Sequence, residues 1–310
     1  MALTTFTPKP NFDLLKVEDV SSPGHLACPG CGIMPAYRTA LQVLGKNTII
    51  VAPACCFAVV DGPFPYSAAG VPFMHCAFET AAASAAGVRA ALEVLGRDDT
   101  NVVAWAGDGG TFDIGLQALS ASAERNEDMI YVCYDNEAYM NTGIQRSSAT
   151  PRMAWTTTTP QQAPKIEYKK DLGGIMAAHR IPYFATASLA HPEDMMAKFR
   201  KAKELRGFRM IHYFCPCPTG WKTDARYMVK LDRLAVQTKV FPLYEVFGGR
   251  RYVLNVASEG LPVSEYLKIQ GRFSHLQPED IKLIQQEVND NYEELLAKVD
   301  HSNRQRSNDT

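Results

Sequence analysis

The stretch that most limits how this chain can fold is Asn101-Val102-Val103-Ala104-Trp105-Ala106 running directly into Gly107-Asp108-Gly109-Gly110-Thr111. An unbroken run of small and branched apolar residues reads as a strand buried on both faces. The glycines allow a tight turn and a close approach of the backbone to something else. A helix is expected from about Asp113. Strand, glycine-rich turn and helix N-terminus together form a site for phosphate. An aspartate in such an anionic place needs a cation beside it, and Mg²⁺ is the natural bridge. Taken alone, Gly-Asp-Gly-Gly is also an ordinary turn.

A second segment shifts that balance. Met129-Ile130-Tyr131-Val132-Cys133-Tyr134 reads as another buried strand and leads into Asp135-Asn136-Glu137-Ala138-Tyr139. Asn136 follows Asp108 by one strand–helix–strand unit. If the two strands are neighbours, both residues face one crevice at the carboxyl ends of the sheet, where doubly wound folds bind ligands. The spacing therefore predicts a diphosphate–Mg²⁺ site on Asp108 and Asn136.

The rest of the chain continues the alternation. Helices are expected over 35–44, 75–95, 171–180, 192–205 and 225–238, with strands over 48–52, 183–188 and 208–214. His191-Pro192-Glu193-Asp194 is a helix start with acids in its first turn. Segments 241–247 and 251–256 suggest a hairpin around Gly248-Gly249, and an amphipathic helix spans 278–299. Loops are expected over 61–73 and 141–170. This order implies an α/β fold of three layers with a mostly parallel sheet. The expected organisation is an N-terminal arm over 1–24, a main domain over 25–240 and a small C-terminal extension over 241–310, its last residues from 300 disordered.

Balanced charge, 32 basic against 33 acidic side chains, gives no support for a nucleic-acid partner. No apolar run approaches a membrane span, and Met1–Lys16 lacks a secretory pattern. A cytoplasmic location is expected, with cysteines reduced, buried or metal-bound. There are eight. Cys76, expected in a helix, and Cys133, in a strand, read as small core residues. Cys28, Cys31, Cys55, Cys56, Cys215 and Cys217 fall in three loop clusters. Cys28-Pro29-Gly30-Cys31 supplies two inward sulfurs, and distant loops could supply two more. That division suits an iron–sulfur cluster somewhat better than the paired motifs of zinc ribbons. Zinc and unligated thiols stay open.

Four segments carry a family resemblance: His25-Leu26-Ala27-Cys28-Pro29-Gly30-Cys31-Gly32, Gly107-Asp108-Gly109-Gly110, the run from Cys133 to Ser147, and Cys215-Pro216-Cys217-Pro218-Thr219-Gly220-Trp221. Together they resemble the beta subunit of archaeal-type 2-oxoacid:ferredoxin oxidoreductases, in the pyruvate branch, over about residues 20–276. The resemblance implies a thiamine diphosphate-binding fold. It implies Cys28, Cys31, Cys56 and Cys217 as ligands of a [4Fe–4S] cluster, and Asp108, Asn136 and the Ala138 carbonyl as Mg²⁺ ligands. Gly107, Gly109 and Gly110 belong to the diphosphate loop, and Asn141 lies near the substrate. The implied activity is oxidative decarboxylation of a small 2-oxoacid, with electrons passing through the cluster to ferredoxin and CoA as a possible acyl acceptor. Implied partners are an alpha subunit supplying the activating glutamate, and gamma or delta subunits carrying further clusters. Ala54-Cys55 stands where the family commonly has Thr-Gly, and Thr80 where the pyruvate branch has Asn. These departures bring in oxalate oxidoreductase as a competing substrate reading. Two other classes remain as alternatives: a non-redox thiamine diphosphate decarboxylase subunit, and a zinc-stabilised nucleotide-binding module.

Overall fold

The computed structural model describes residues 19–308, so most of the expected N-terminal arm lies outside the described residues. The described chain runs α1 (Ile33–Leu44), β1 (Thr48–Pro53), α2 (Cys56–Val60), β2 (Phe73–Cys76), α3 (Ala81–Val94) and β3 (Asn101–Gly107). A π-helical turn (Gly109–Ile114) then leads into α4 (Leu116–Glu124), β4 (Met129–Asp135), α5 (Leu172–Ala178), β5 (Tyr183–Ser188), α6 (Pro192–Glu204) and β6 (Phe208–Phe214). The C-terminal part holds α7 (Pro218–Trp221), α8 (Met228–Gln237), β7 (Leu243–Phe247), β8 (Arg251–Val256), α9 (Val263–Leu267) and α10 (Pro278–Asn308).

All eight strands join one sheet in the order β2-β1-β3-β4-β6-β5-β7-β8. Strands β1 to β6 pair in parallel. The β7–β8 hairpin adds to the β5 edge in the antiparallel sense. Of the parallel strands, β1 and β3 to β6 are buried on both faces because helices cover both sides. In β3, Val103 and Trp105 point into a core shared with α1 and α6, while Val102, Ala104 and Ala106 pack under α3 and α4. Helix α1 buries Ile33, Met34, Tyr37, Leu41 and Leu44, a stripe at helical spacing. Helix α6 carries Pro192, Glu193 and Asp194 in its first turn and Lys201 and Lys203 in its last, matching the helix dipole at both ends. A third core lies under α8, α9 and α10.

Three local expectations are corrected. Residues 75–80 do not begin a helix, and Cys76 is not helical. Phe73–Cys76 forms a half-exposed edge strand beside β1, and the helix starts at Ala81. The helical turn after β3 begins at once, with Asp108 as its cap, rather than at Asp113. Residues 300–308 are helical rather than disordered. Helix α10 runs to Asn308, tied to the hairpin by Ser302, whose Oγ accepts from Tyr252 N (2.9 Å) and donates to Arg250 O (3.3 Å).

Candidate functional site

Strands β1, β3, β4 and β6 are consecutive neighbours in the sheet. Their carboxyl ends therefore place Cys55–Cys56, Gly107–Gly110, Asn136–Thr142 and Cys215–Cys217 along one rim. The chain steps from β1 outward to β2 and back across to β3, so this rim includes a topological switch point. A cleft of about 560 Å³, open at its mouth, is lined by Ala54, Cys55, Cys56, Phe78, Gly107, Asp108, Gly109, Gly110, Asn136, Ala138, Tyr139 and Asn141, among others. The sequence-predicted cofactor loop, Asn141 and Cys56 thus meet in one place. Gly109 is held there by contact: a Cβ would run into the Tyr139 ring. The Tyr139 hydroxyl in turn donates to Asp113 (2.8 Å).

One terminal atom of the Asn136 side-chain amide lies 2.9 Å from both Asp108 Oδ1 and Ala138 O. A nitrogen in that place donates to both. An oxygen there stands 2.9 Å from each of two other oxygens. The two separations then match the edge of an octahedron, about 3 Å for metal–oxygen distances of about 2.0–2.1 Å. Asp108 is almost fully buried, and its Oδ2 accepts from the Ser147 hydroxyl (2.7 Å). Burial, and then the neighbouring Asp135 carboxylate, push the Asp108 carboxyl well above the usual carboxylate range. A divalent cation at Oδ1 would reverse that push.

Behind these three residues lies a buried charge network that local spacing did not reveal. Asp135 accepts from His212 Nε2 (2.8 Å) and pairs with Lys169 Nζ (2.6 Å). Burial alone would raise the Asp135 carboxyl, but Lys169 and the His212 hydrogen bond outweigh it and hold it at about 2. Lys169 also reaches Glu137 (2.9 Å), and Arg272 binds the other Glu137 oxygen (2.5 Å). Glu137 has a φ of 66°, in the left-handed region that a glutamate rarely adopts. Its two cationic partners hold that conformation, which turns the flanking Asn136 side chain and Ala138 carbonyl toward the same point. Trp221, fully buried, donates from Nε1 to Asn136 O (2.9 Å). Arg146 pairs with Glu167 on the surface (3.4 Å).

All eight cysteines are free thiols. Cys28 is exposed, and Cys31, Cys56 and Cys217 are half-buried. Among the described residues, no three His, Cys, Asp or Glu side chains converge tightly enough to hold a single metal ion. The three half-buried thiols nevertheless feel one another's charge. Burial, and then the Cys217 thiol, raise Cys56, while Cys217 is pushed up to about 11 by burial, with Cys31 and Cys28 adding to it. Cys133 is buried in β4, and Cys215 lies fully covered in the core behind Cys31.

The site has relatives. Residues 58–213 match the family model described as the thiamine pyrophosphate enzyme C-terminal TPP-binding domain, a span that includes Asp108, Asn136 and Ala138. The chain is 48% identical to the ketoisovalerate oxidoreductase subunit VorB of Pyrococcus abyssi, over 92% of this chain and 96% of that one. It is 51% identical to the pyruvate synthase subunit PorB of Methanothermobacter thermautotrophicus, over 90% and 98%. The chain belongs to the beta-subunit family of 2-oxoacid:ferredoxin oxidoreductases. This beta subunit carries a thiamine diphosphate-binding domain and is part of a multi-subunit oxidoreductase. Its fold is that of a solved 2-oxoglutarate:ferredoxin oxidoreductase from Magnetococcus marinus, with a TM-score of 0.57 and 24% identity over 75% of this chain and 84% of that one. No helix of the described residues is long and apolar enough to cross a membrane.

Proposed function

We propose that this beta subunit binds Mg²⁺–thiamine diphosphate through Asp108, Asn136 and the Ala138 carbonyl, and a [4Fe–4S] cluster through Cys28, Cys31, Cys56 and Cys217. The observation that carries the reading is the Asn136 amide end 2.9 Å from both Asp108 Oδ1 and Ala138 O, at the rim that also holds the cysteine loops. When bound, the two groups supply an electron sink for decarboxylation of a 2-oxoacid and an acceptor for the electrons released.

The chain's own residues bind, shape and dry the site. Gly107, Gly109 and Gly110 bring backbone close to the diphosphate at the start of a helical turn. Asp108, needing a cation, fixes the metal. Phe78, Tyr139 and Met140 wall the cleft with apolar surface, and Asn141 stands at its mouth within reach of a substrate's polar groups. The apolar wall, with relatives named as pyruvate synthase and ketoisovalerate oxidoreductase subunits, favours a 2-oxoacid with an alkyl substituent, pyruvate or its branched-chain analogue 2-ketoisovalerate, over oxalate. The open mouth leaves room for an alpha subunit to bring the activating glutamate. Gamma or delta subunits and ferredoxin would take the electrons, and CoA the acyl group. A reducing, cytoplasmic setting suits eight unpaired cysteines.

The test is made on the purified complex. Iron, sulfide, magnesium and thiamine diphosphate are measured, and then ferredoxin reduction with pyruvate, 2-ketoisovalerate and oxalate, with and without CoA. Cys217→Ala should abolish ferredoxin reduction while thiamine diphosphate stays bound. Full ferredoxin reduction by that variant, or zinc in place of iron, would refute the cluster assignment. Turnover of oxalate above both alkyl substrates would refute the substrate class.

A further inference from the structure

The loop that offers Asn136 and the loop that carries Cys217 are fastened to each other by residues belonging to neither ligand set. Helix α7 starts directly after Cys217, and the Gly220 N–H donates to Cys217 Sγ (3.4 Å). The next residue, Trp221, sends its indole N–H to the backbone oxygen of Asn136 (2.9 Å). Gly220 itself lies against the Met140 thioether. Arg272 lies over the Trp221 ring, 3.8 Å from its centroid, and grips Glu137 (2.5 Å). Gln270 fixes the guanidinium at Nε (2.9 Å), and the Gly271 N–H donates to Lys222 O (3.1 Å), just beyond α7. Segments 136–140, 217–222 and 270–273 therefore form one unit. Two of its residues, Glu137 and Lys222, have left-handed φ values of 66° and 53°. Such conformations persist only where surrounding contacts enforce them.

From this we infer that Trp221 and Arg272 are positioning residues that couple Mg²⁺–thiamine diphosphate binding to the stability of the cluster. The inference rests on the two ligand sets proposed above. Ordering of the Asn136 loop by the cofactor spares the Cys217 loop part of its own ordering cost, and the reverse holds equally, since coupling between two bound groups is reciprocal. The fastening is stiff. The Asn136 oxygen is offered a single indole donor, and that ring is clamped by a guanidinium already committed to Glu137.

The experiment uses the purified complex under anaerobic conditions. The rate at which an iron chelator bleaches the visible absorption of the cluster is followed with and without Mg²⁺–thiamine diphosphate. In the wild type the cofactor should slow bleaching about tenfold, the scale of one buried hydrogen bond made or lost. Trp221→Phe keeps an aromatic face, on a smaller ring, and removes the N–H donor, and the ratio of the two rates should fall below twofold. Arg272→Lys keeps a charge near Glu137 but not the plane over the indole, and should give an intermediate ratio. If Trp221→Phe does not assemble, Arg272→Lys carries the same comparison. A merely structural role would speed both rates equally and leave their ratio unchanged, and that result overturns the inference. Equal rates with and without cofactor in a wild-type complex that holds both groups overturn it too. A wild-type complex lacking iron and sulfide, or failing to bind the cofactor, instead sinks the ligand assignments.

Discussion

Replacing Asp108 by Asn should move stability and cofactor binding in opposite directions. Asp108 is buried, with Asp135 as its largest like-charge influence; the Ser147 hydroxyl donates to its Oδ2, and without metal the Asn136 amide, turned nitrogen-first, donates to its Oδ1. A buried carboxylate without a counter-ion costs several kcal/mol after relaxation. Lys169 offsets part of this from across the network. The Ser147 hydrogen bond to a charged acceptor returns about 1.5–3 kcal/mol and weakens to about 1 when the acceptor is a neutral amide. The metal-free Asp108→Asn protein should therefore be about 1–2 kcal/mol more stable than the metal-free wild type. The same change removes the charge that would hold a divalent cation, so Mg²⁺-dependent thiamine diphosphate binding should weaken at least a hundredfold. Urea unfolding in the presence of a chelator reads the first effect, and calorimetric titration with the cofactor and Mg²⁺ reads the second. A variant that is less stable than wild type without metal, or that binds the cofactor unchanged, would show that Asp108 is not a strained, cation-seeking carboxylate.

Arg272→Met should destabilise the protein by about 3 kcal/mol, at the lower end for breaking a buried pair because Lys169 still faces Glu137; a loss under 1 kcal/mol in urea unfolding would mean the pair is worth little. Gly109→Ala should push the Tyr139 ring into the cleft, costing about 1–3 kcal/mol of stability and weakening cofactor binding tenfold or more by titration, and wild-type affinity would show that the close contact is dispensable. Lys165 is 2% exposed, bonded to Thr150 O (2.5 Å) and Tyr168 O (3.1 Å), and burial, with Arg146 adding to it, lowers its ammonium to about 8. Its folded value lies below the unfolded one, about 10.4, so the unfolded chain holds the extra proton between them and stability rises with pH across that window. The penalty is fully present below pH 8, and wild type should gain stability relative to Lys165→Met between pH 8 and 10; parallel profiles would contradict this.

The parallel strands were legible because burial on both faces leaves uninterrupted apolar runs: β5 and β6 fall where Tyr183–Ser188 and Phe208–Phe214 were read. Asp108 and Asn136 were legible because neighbouring strands of a parallel sheet present their carboxyl ends side by side. Edge strand β2 was not, since Phe73-Met74-His75-Cys76 is half exposed and shows no alternation to separate it from the helix that follows. The early helical turn at Asp108 was hidden by glycines, which in sequence mark a turn. The polar end of α10 looked unstructured because its anchor is a contact with the β7–β8 hairpin rather than an apolar stripe. The clamp of Lys169, Arg272 and Trp221 on residues 135–137 was invisible for a related reason: each partner is many positions away, and no local pattern joins Glu137 to Arg272.

That last distance bears on how the protein is made. Synthesis delivers Asp135 and Glu137 long before Arg272, with 135 positions separating Glu137 from Arg272. Until the later segment leaves the ribosome, Glu137 lacks one of its two cations and the backbone of Asn136 lacks the Trp221 donor. A nascent chain that already has β3 and β4 therefore presents an unfinished and electrostatically unfavourable rim. Completion of the rim belongs after release of the nearly complete chain, and a stall in translation between residues 256 and 272 leaves a product that has its strands but cannot lock residues 136–137.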